Sequence, residues 1–474
     1  MGLHAFSSAL EVAAAIASKE VSPVEVADFY LARLDRLNPG LNAATWRRDE
    51  DLRREAISAE ERLMRGEGSG TFFGVPVPIK DLIAVEGWPI TFGSRAFEHQ
   101  VMSFDATVIS RMREAGFLFQ CRSNTPEFGI LPVTENALWG PTRNPWNTDH
   151  TPGGSSGGAG SLVAAGIAPI AHASDGGGSI RIPASCSNLV GLKPSRGRVS
   201  TGPLLTEVMH GFVTEGCVSH TVADTAAFCD LISAPDPTAW YNAPAFDRPL
   251  LEEVGVAPGR LRIAYATQPP TGVPVAAECV AAVERTAALL SDLGHEVFED
   301  APVWPDPEHA VTPFLNVWNT GLAYWGVEDL DKVEPLSREL GRVATTVDSL
   351  KYIESLALLQ TLTRQIVSAW GDRFDMLLTP TLAAEPPRVG SLFDGAEEEV
   401  MTPMMKAADL CAFTPLFNAT GQPAISLPMH ISKSGLPVGI QLVGKPWGEA
   451  ELIRVAAQLE EAAPWRERNA PGTE

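Results

Sequence analysis

From Gly74 onwards, short apolar segments alternate with helical segments and with turns that are unusually rich in glycine. One apolar segment runs from Val75 to Ile79, and the densest glycine turns are residues 153–160 and 176–178. Short apolar strands of this kind are buried in a sheet, and the helices between them need a sheet face to cover. The alternation predicts an α/β fold with a mixed, largely buried central β-sheet flanked by helices on both faces.

Composition and periodicity divide the chain into four parts. Residues 1–65 place apolar residues at helical spacing and predict a helical segment packed on the core, in which Asn38 to Gly40 ends the second helix. Residues 66–232 hold the glycine-rich alternation. Residues 233–375 begin with a connector rich in proline and continue as a mainly helical part. Residues 376–474 return to apolar strands and a final amphipathic helix, and we expect them to complete the same single domain.

The charge balance limits the classes of partner. The chain of 474 residues carries 36 Lys and Arg against 58 Asp and Glu, a net charge of −22 at pH 7. Such an excess of negative charge repels phosphate backbones and anionic lipids, so we expect neither nucleic-acid nor membrane partners. The longest mostly apolar run, Leu162 to Ala171, has about half the length of a membrane span. Six cysteines without a CxxC pair predict reduced thiols and a cytoplasmic location.

The spacing of histidines and glycines predicts neither a metal site nor a nucleotide site. No two of the nine histidines lie three to five residues apart, the spacing at which paired zinc ligands are usually found. The glycines after Gly153 lack the Gly-Lys-Ser/Thr of a phosphate-binding loop and the third glycine of a dinucleotide-binding turn. We therefore expect no metal and no organic cofactor.

Two glycine clusters that contain serine are the main candidates for chemistry. The first, GGSSG at 153–157, fits the G-x-S-x-G pattern, which marks the nucleophile of an α/β-hydrolase when an acid and a histidine follow. In the second, three glycines at 176–178 precede Ser179, 24 residues after Ser155. Glycine lets several backbone N–H groups converge on one point, which is how an oxyanion hole is built. The clusters predict a serine nucleophile.

A lysine ends an otherwise apolar strand, because Lys80 follows GVPVPI at 74–79. Burial favours the neutral amine, which is a proton acceptor. Lysine serves as a base at pH 7 only if burial brings its pKa close to neutrality, at a cost of about 4 kcal/mol. The alternative is that Lys80 forms a structural ion pair with Asp81 or another acid.

Taken together, these segments resemble the amidase signature family. The stretch from Gly153 to Ala184 fits the long signature of that family throughout, with both serines at the right separation and the Ser-Ile-Arg-x-Pro end intact. The resemblance covers most of the chain and is weakest over about 233–375. Further segments that look like the family are GVPVPIKDL (74–82), SNTPEFG (123–129), GPTRNPWN (140–147), GLKP (191–194), FNATGQPAISLP (417–428) and GLPVGIQLVG (435–444).

The resemblance implies the amidase signature fold, with 66–232 as its catalytic core, and a role for each matching residue. Ser179 is then the nucleophile, Ser155 the proton-relaying bridge that follows a cis peptide bond, and Lys80 the ultimate base. The expected oxyanion hole consists of the backbone amides of Gly176, Gly177, Gly178 and Ser179. The expected supporting residues are Ser156, Asp175 and Arg181.

The activity implied by the resemblance is hydrolysis of a carboxamide to a carboxylate plus ammonia or an amine, through an acyl-enzyme on Ser179. The expected partner is a small uncharged amide, linear or cyclic, because the signature looks closest to the branch with general amidases and the hydrolase of the cyclic dimer of 6-aminohexanoate. A homodimer, common in the family, is the expected assembly. Four aromatic residues of the divergent part belong either to the core or to the wall of an acyl pocket: Phe314, Trp318, Tyr324 and Trp325.

Three alternatives stay open. A glutamine-hydrolysing subunit of a tRNA-dependent amidotransferase uses the same triad, although it usually carries a Met-Asp-Glu-Phe-type segment where this chain has Thr125 to Phe128. A non-catalytic scaffold of the same fold predicts loss of a triad member, whereas all three are present. An α/β-hydrolase would use Ser155 with a later histidine.

Overall fold

A computed structural model describes residues 4–68, 70–323 and 325–474 of the chain. The described residues form fourteen α-helices and eleven β-strands, numbered here in chain order. The helices are α1 (Ala9–Ala17), α2 (Pro23–Leu41), α3 (Asp49–Met64), α4 (Thr107–Glu114), α5 (Gly157–Ala164), α6 (Arg181–Cys186), α7 (Val222–Ile232), α8 (Ala277–Asp292), α9 (Pro307–Ala323), α10 (Pro335–Ala344), α11 (Ser349–Val367), α12 (Thr402–Leu410), α13 (Pro415–Ala419) and α14 (Glu449–Ala462). The strands are β1 (Ala44–Arg47), β2 (Pro76–Lys80), β3 (Leu118–Ser123), β4 (Ile170–Asp175), β5 (Val190–Lys193), β6 (Thr214–Ser219), β7 (Arg262–Tyr265), β8 (Glu296–Glu299), β9 (Met376–Pro380), β10 (Ala424–Ile431) and β11 (Pro437–Val443).

Eight of the strands form one large mixed sheet in the order β4-β6-β5-β10-β11-β9-β7-β8. The pairings from β4 as far as β9 are antiparallel, and β7 pairs in parallel with both β9 and β8. Parallel neighbours need a crossover connection, and α8 supplies it between β7 and β8. The prediction of a mixed central sheet is confirmed.

Helices cover both faces of this sheet. Alternate residues of its central strands point to opposite faces, and each face packs against helices. On one face, residues such as Ile425 of β10 and Ile440 of β11 share an apolar cluster with α7, α8 and α14. On the other face, the backbone N–H of Gly439 donates to Ser185 Oγ of α6 at 2.9 Å. The predicted flanking by helices is therefore also confirmed.

Lys80 lies in a second, smaller sheet rather than in the large one. β2 pairs in parallel with β3, and β3 pairs antiparallel with β1. Every residue of β2 is buried, and the strand packs beside β4, the edge strand of the large sheet. The end of β2 that carries Lys80 therefore lies next to the end of β4 that precedes the second glycine cluster.

The second helix ends later than predicted. The sequence Asn38-Pro39-Gly40 was expected to end α2, but the helix continues through it to Leu41 and is capped by Asn42 in the left-handed conformation. The side chain of Asn38 accepts hydrogen bonds from the N–H groups of Ala43 and Ala44, both at 2.9 Å. Pro39 lies within the last turn, where few intrahelical bonds are left to lose.

Candidate active site

Lys80 is brought into the interior by the apolar strand that it ends. Its side chain is 1% exposed, and burial lowers its pKa from the usual 10.5 to about 7, although Glu215 and Asp175 oppose this change. Lys80 Nζ lies 2.8 Å from Ser155 Oγ and 3.0 Å from Ser174 Oγ, within hydrogen-bond distance of both. The amine thus faces hydroxyl groups in an environment that favours its neutral form.

The alternative reading of Lys80 as half of an ion pair does not fit this geometry. Asp81 accepts a hydrogen bond from the backbone N–H of Thr91 at 3.1 Å and a second from the Thr91 hydroxyl. It also lies 3.7 Å from the guanidinium of Arg122. Within the described ranges, Lys80 forms no ion pair with a carboxylate.

Ser155 lies in a tightly packed loop between β3 and α5. The peptide bond between Gly154 and Ser155 is cis, and a Cβ atom at Gly154 would lie only 2.6 Å from the backbone nitrogen of Val133. The hydroxyl of Thr134 donates to the carbonyl of Gly153 at 2.9 Å and accepts from the N–H of Gly157 at 3.0 Å. These contacts hold the Ser155 hydroxyl against Lys80.

Ser156 points to the other side of the same loop and bonds to the backbone of β4. Its hydroxyl donates to the carbonyl of Ser174 at 3.3 Å and accepts from the N–H of Ser174 at 3.4 Å. Because Ser174 also contacts Lys80 through its side chain, Ser156 connects the first glycine cluster to the strand that leads into the second.

Ser179 lies in the turn between β4 and α6, and its side chain is 8% exposed. Among the described residues, none forms a hydrogen bond with its Oγ, including Ser155, although both hydroxyls line the same cavity. The structure therefore brings Lys80, Ser155 and Ser179 to one site and joins the first two directly. The Ser179 hydroxyl stays available to a molecule in the cavity.

The backbone N–H groups around Ser179 differ in whether they already donate to an acceptor within the protein. The N–H of Gly178 donates to Asp175 Oδ1 at 2.7 Å, so the expectation that Gly178 contributes to an oxyanion hole needs correction. For the N–H groups of Gly176, Gly177 and Ser179, we find no acceptor among the residues that the structure describes. Gly178 still has to be glycine, because it adopts φ +129° and a Cβ atom would lie 2.3 Å from Thr414 Oγ1.

Asp175 and Arg181 form a buried, two-point ion pair beneath this turn. Arg181 Nε and Nη2 donate to the two carboxylate oxygens of Asp175, each at 2.9 Å, and both side chains are completely buried. Burial alone would raise the pKa of Asp175, but the guanidinium holds it below its usual value. Arg181 also donates to Gln441 Oε1 and Asn418 Oδ1, both at 2.6 Å, so the pair anchors the turn to β11 and α13.

Replacing Arg181 with methionine is expected to lower the free energy of unfolding by about 3 to 5 kcal/mol, because Asp175 would stay buried without its partner. Urea unfolding followed by tryptophan fluorescence measures this change. Arg338→Met is the control, since Arg338 is about half exposed and lies 3.9 Å from Asp331, and we expect little effect from it. Similar losses in the two variants would contradict a special role for the buried pair.

Several polar residues at the site were not singled out from the sequence. Ser174 contacts Lys80, and Glu215 lies opposite Ser174 on β6. Asn418 Nδ2 donates to Asp175 Oδ1 at 2.8 Å, and Gln441 binds Arg181. Alternation along β4 could have indicated Ser174, and Asn418 and Gln441 lie within segments already recognised as family-like, but no local pattern assigns them a partner.

Two cavities meet at Ser179. The first has a volume of about 350 Å³ and is lined mainly by apolar side chains, among them Phe314, Leu315, Leu362, Met401 and Met404. The second has a volume of about 600 Å³ and is lined in part by Ser155, Ser174, Glu207, Glu215 and Asp348. Ser179 and Trp318 line both cavities.

Three of the four aromatic residues in the divergent part line these cavities rather than only filling the core. Phe314 lines the first cavity, Trp325 lines the second, and Trp318 lines both. Tyr324, the fourth, lies outside the described residues. The segment that differs most from the family pattern therefore forms walls next to Ser179.

Neither a metal site nor a membrane span is found in the part of the chain that the structure describes. Those residues contain no group of three or more His, Cys, Asp or Glu side chains arranged to hold a metal ion. Nor do they contain a helix with the length and apolar character that crossing a membrane requires.

Comparisons with known proteins identify a family and several relatives of this chain. The family model described as amidase matches residues 25–453. The chain is 36% identical over 469 residues to the 6-aminohexanoate-cyclic-dimer hydrolase of Pseudomonas sp. (strain NK87), covering 95% of this chain and 93% of that protein. The structure of a 6-aminohexanoate cyclic dimer hydrolase complexed with substrate matches with a TM-score of 0.93 and 34% identity over 99% of both chains. A bacterial aryl acylamidase of the amidase signature family matches with a TM-score of 0.86 and 28% identity over 97% of both chains.

A component of an amidotransferase is a more distant neighbour. This glutamyl-tRNA(Gln) amidotransferase subunit from Thermotoga maritima matches with a TM-score of 0.79 and 26% identity, covering 98% of this chain and 96% of that one. The hydrolases above are nearer by both measures. Likeness in fold alone thus extends to the amidotransferase, while the greater similarity is to hydrolases.

Proposed function

The chain belongs to the amidase signature family and is an amide hydrolase, and from that premise we propose that it works through an acyl-enzyme on Ser179. In this proposal Ser155 relays protons between Ser179 and Lys80. The observation that carries it is the contact at 2.8 Å between Ser155 Oγ and a buried amine whose pKa is lowered to about 7. A neutral amine next to a hydroxyl is a competent base at neutral pH.

The first half of the reaction forms the acyl-enzyme. Lys80 takes a proton from Ser155 Oγ as Ser155 takes one from Ser179 Oγ, and the Ser179 oxygen attacks the amide carbonyl carbon. The negative charge that develops on the carbonyl oxygen is stabilised by the free N–H groups of Gly176, Gly177 and Ser179. Ser155 then gives a proton to the amide nitrogen and regains one from the Lys80 ammonium. The C–N bond breaks, and ammonia or an amine leaves.

The second half uses one water molecule. Ser155 and Lys80 remove a proton from water, and its oxygen attacks the ester carbonyl carbon. The second tetrahedral intermediate collapses, the bond to Ser179 Oγ breaks, and Ser179 regains a proton through Ser155. The product is the carboxylic acid, which ionises at neutral pH. Neither half requires a metal or an organic cofactor, because Ser155 and Lys80 carry every proton.

The purified chain alone is expected to release ammonia from hexanamide. Added hydroxylamine is expected to convert part of the product from hexanoate to hexanohydroxamate, because it competes with water for an acyl-enzyme. Ammonia is measured with a coupled enzyme assay and the hydroxamate by its colour with ferric ion, with incubations that lack the chain as the control.

Each alternative function predicts a different result in this experiment. Ammonia release that requires a second protein would indicate an amidotransferase subunit, and no release from any simple amide would indicate a scaffold. Ammonia release without any hydroxamate would contradict the acyl-enzyme.

Two further parts of the proposal concern the location of the enzyme in the cell, and its substrate and assembly. We propose that it acts in the cytoplasm, supported by six cysteines that are all buried as free thiols. We also propose that it acts on a small-molecule amide as a homodimer, by likeness to its family. The relay itself involves only residues of one chain.

A further inference from the structure

Trp318 of α9 lines both of the cavities that meet at Ser179, as do Gly129 and Ile130. A Cβ atom at Gly177 would lie 3.4 Å from the Trp318 ring, and one at Gly176 would lie 3.6 Å from it. The indole is held in place from behind, because it stacks on Phe314 with ring centroids 5.7 Å apart, and Phe314 stacks on Phe212 at 5.5 Å. The indole shared by the two cavities therefore belongs to a stack of packed aromatic rings and lies directly beside the amides proposed to bind the oxyanion.

The proton relay opens into only one of the cavities. Ser155 and Ser174 line the second cavity and not the first. If Ser155 protonates the leaving nitrogen, as in the proposed function on which this inference rests, that nitrogen and its substituent must lie on the side of Ser155. The acyl group, bonded to the other side of the carbonyl carbon, then extends past Ser179 into the first cavity.

The two cavities differ in chemical character. The first is lined by methionine, leucine and aromatic side chains, and Met401, Met404 and Met405 add flexible, apolar side chains to its lining. The second is lined by Glu207, Glu215 and Asp348, and also by His210, whose Nδ1 lies 3.3 Å from Glu207 Oε1. It has no lysine or arginine among its described lining residues, and Trp325 and Tyr352 add aromatic faces to which a cation can bind.

We propose that the first cavity takes the acyl part of the substrate and the second takes the leaving amine, with Trp318 as the residue that enforces this orientation. The substrate class is an amide that joins a hydrocarbon acyl group to an amine bearing a further polar or ammonium group. An ammonium on the acyl side is disfavoured because no carboxylate is found among the described residues that line the first cavity.

Two isomeric substrates test the orientation directly. N-(5-aminopentyl)octanamide carries its ammonium on the amine side, and N-pentyl-8-aminooctanamide carries it on the acyl side, with the same atoms and the same charge. We expect kcat/KM to be at least tenfold higher for the first isomer. Among simple n-alkanamides from acetamide to octanamide, we expect kcat/KM to rise about fourfold for each added methylene until the cavity is filled.

Variants at the wall test the role of Trp318. Trp318→Ala removes an indole that lines both cavities and is expected to bring the ratio of kcat/KM between the isomers close to one. Trp318→Phe keeps an aromatic wall and is expected to keep the preference. Trp240→Ala is the matched control, because it removes an exposed indole that lines neither cavity and should leave both the ratio between the isomers and the dependence on acyl length unchanged.

The outcomes separate this inference from the proposed function. Equal rates for the isomers in the wild-type chain, or a preference for N-pentyl-8-aminooctanamide, would overturn the orientation while octanamide hydrolysis upholds the function. Hydrolysis of octanamide with neither isomer accepted would also overturn it, since the second cavity would then not take a substituted amine. Failure to hydrolyse octanamide as well would overturn the proposed function itself.

Discussion

Replacing Ser179 with alanine is expected to lower kcat/KM for amide hydrolysis by on the order of 10⁵-fold to 10⁶-fold, because the proposed acyl-enzyme cannot form without its hydroxyl. The remaining groups still bind the substrate and polarise its carbonyl, so a small residual rate is expected. The loss is measured as ammonia released from hexanamide. Mass spectrometry of the wild-type chain, quenched in acid during turnover of p-nitrophenyl hexanoate, is expected to find the hexanoyl group on the peptide that contains Ser179.

Two other serines of the same segment provide the comparison. Ser155→Ala is expected to lower kcat/KM by about 10² to 10⁴, the range of a lost proton relay. Ser161→Ala is the control, because Ser161 is also buried but its hydroxyl donates to the carbonyl of Arg143 at 2.9 Å, away from the site. A hexanoyl group found on Ser155, with activity surviving in Ser179→Ala, would instead support the α/β-hydrolase alternative.

The elements of this fold were predictable where a local pattern reports directly on burial. The mainly helical part predicted after the proline-rich connector contains α9, α10 and α11, and β11 is one of the apolar strands predicted within 376–474. The end of α2 was not predictable in the same way, because its stop depends on Asn38 bonding to Ala43 and Ala44 beyond the helix. Pro39 favours an earlier end of the helix, and helix propensities do not include the hydrogen bonds of Asn38 that favour a later one.

In the candidate site too, local patterns predicted the residues but not the contacts between them. Lys80, Ser155 and Ser179 were named from their motifs, and three distant segments of the chain bring them together. The commitment of the Gly178 N–H to Asp175 depends on how the turn is folded, and the pairing of Arg181 with Gln441 spans 260 residues. Partners of this kind are set by strand order and packing. A spacing rule along the chain therefore names the residues but not the hydrogen bonds among them.

Replacing Lys80 with methionine is expected to lower kcat/KM by about 10² to 10⁴ and to remove the acidic limb of the pH profile. In the wild-type chain, burial lowers the pKa of Lys80 to about 7, and only the neutral amine accepts a proton. The wild-type kcat/KM should therefore rise about tenfold per pH unit below pH 7 and level off above it. The same limb persisting in Lys80→Met, measured with hexanamide from pH 5 to 9, would assign it to another group.

Lys80 also has a measurable effect on stability, whose sign follows from its pKa. The folded-state pKa of about 7 lies below the usual 10.5, so between these values the unfolded chain binds more protons and stability rises with pH. The loss of stability caused by burying Lys80 is complete below pH 7 and disappears towards pH 10.5. The stability of Lys80→Met relative to the wild type should accordingly be greatest near pH 7 and decline towards pH 10, as measured by urea unfolding.

A variant at Lys193 separates the effect on kcat/KM from the effect on stability, because Lys193 is a second buried lysine that lies outside the proposed relay. Burial also lowers its pKa to about 7, and its Nζ donates to the carbonyl of Pro194 at 2.8 Å rather than to a serine. Lys193→Met should show the same decline of relative stability with rising pH, because the linkage depends only on the pKa difference between the folded and unfolded states. It should keep the acidic limb of kcat/KM, since Lys80 is intact. Loss of the acidic limb in both variants would show that the limb reflects a general effect of burying charge. Lys80 would then no longer be distinguished as the base.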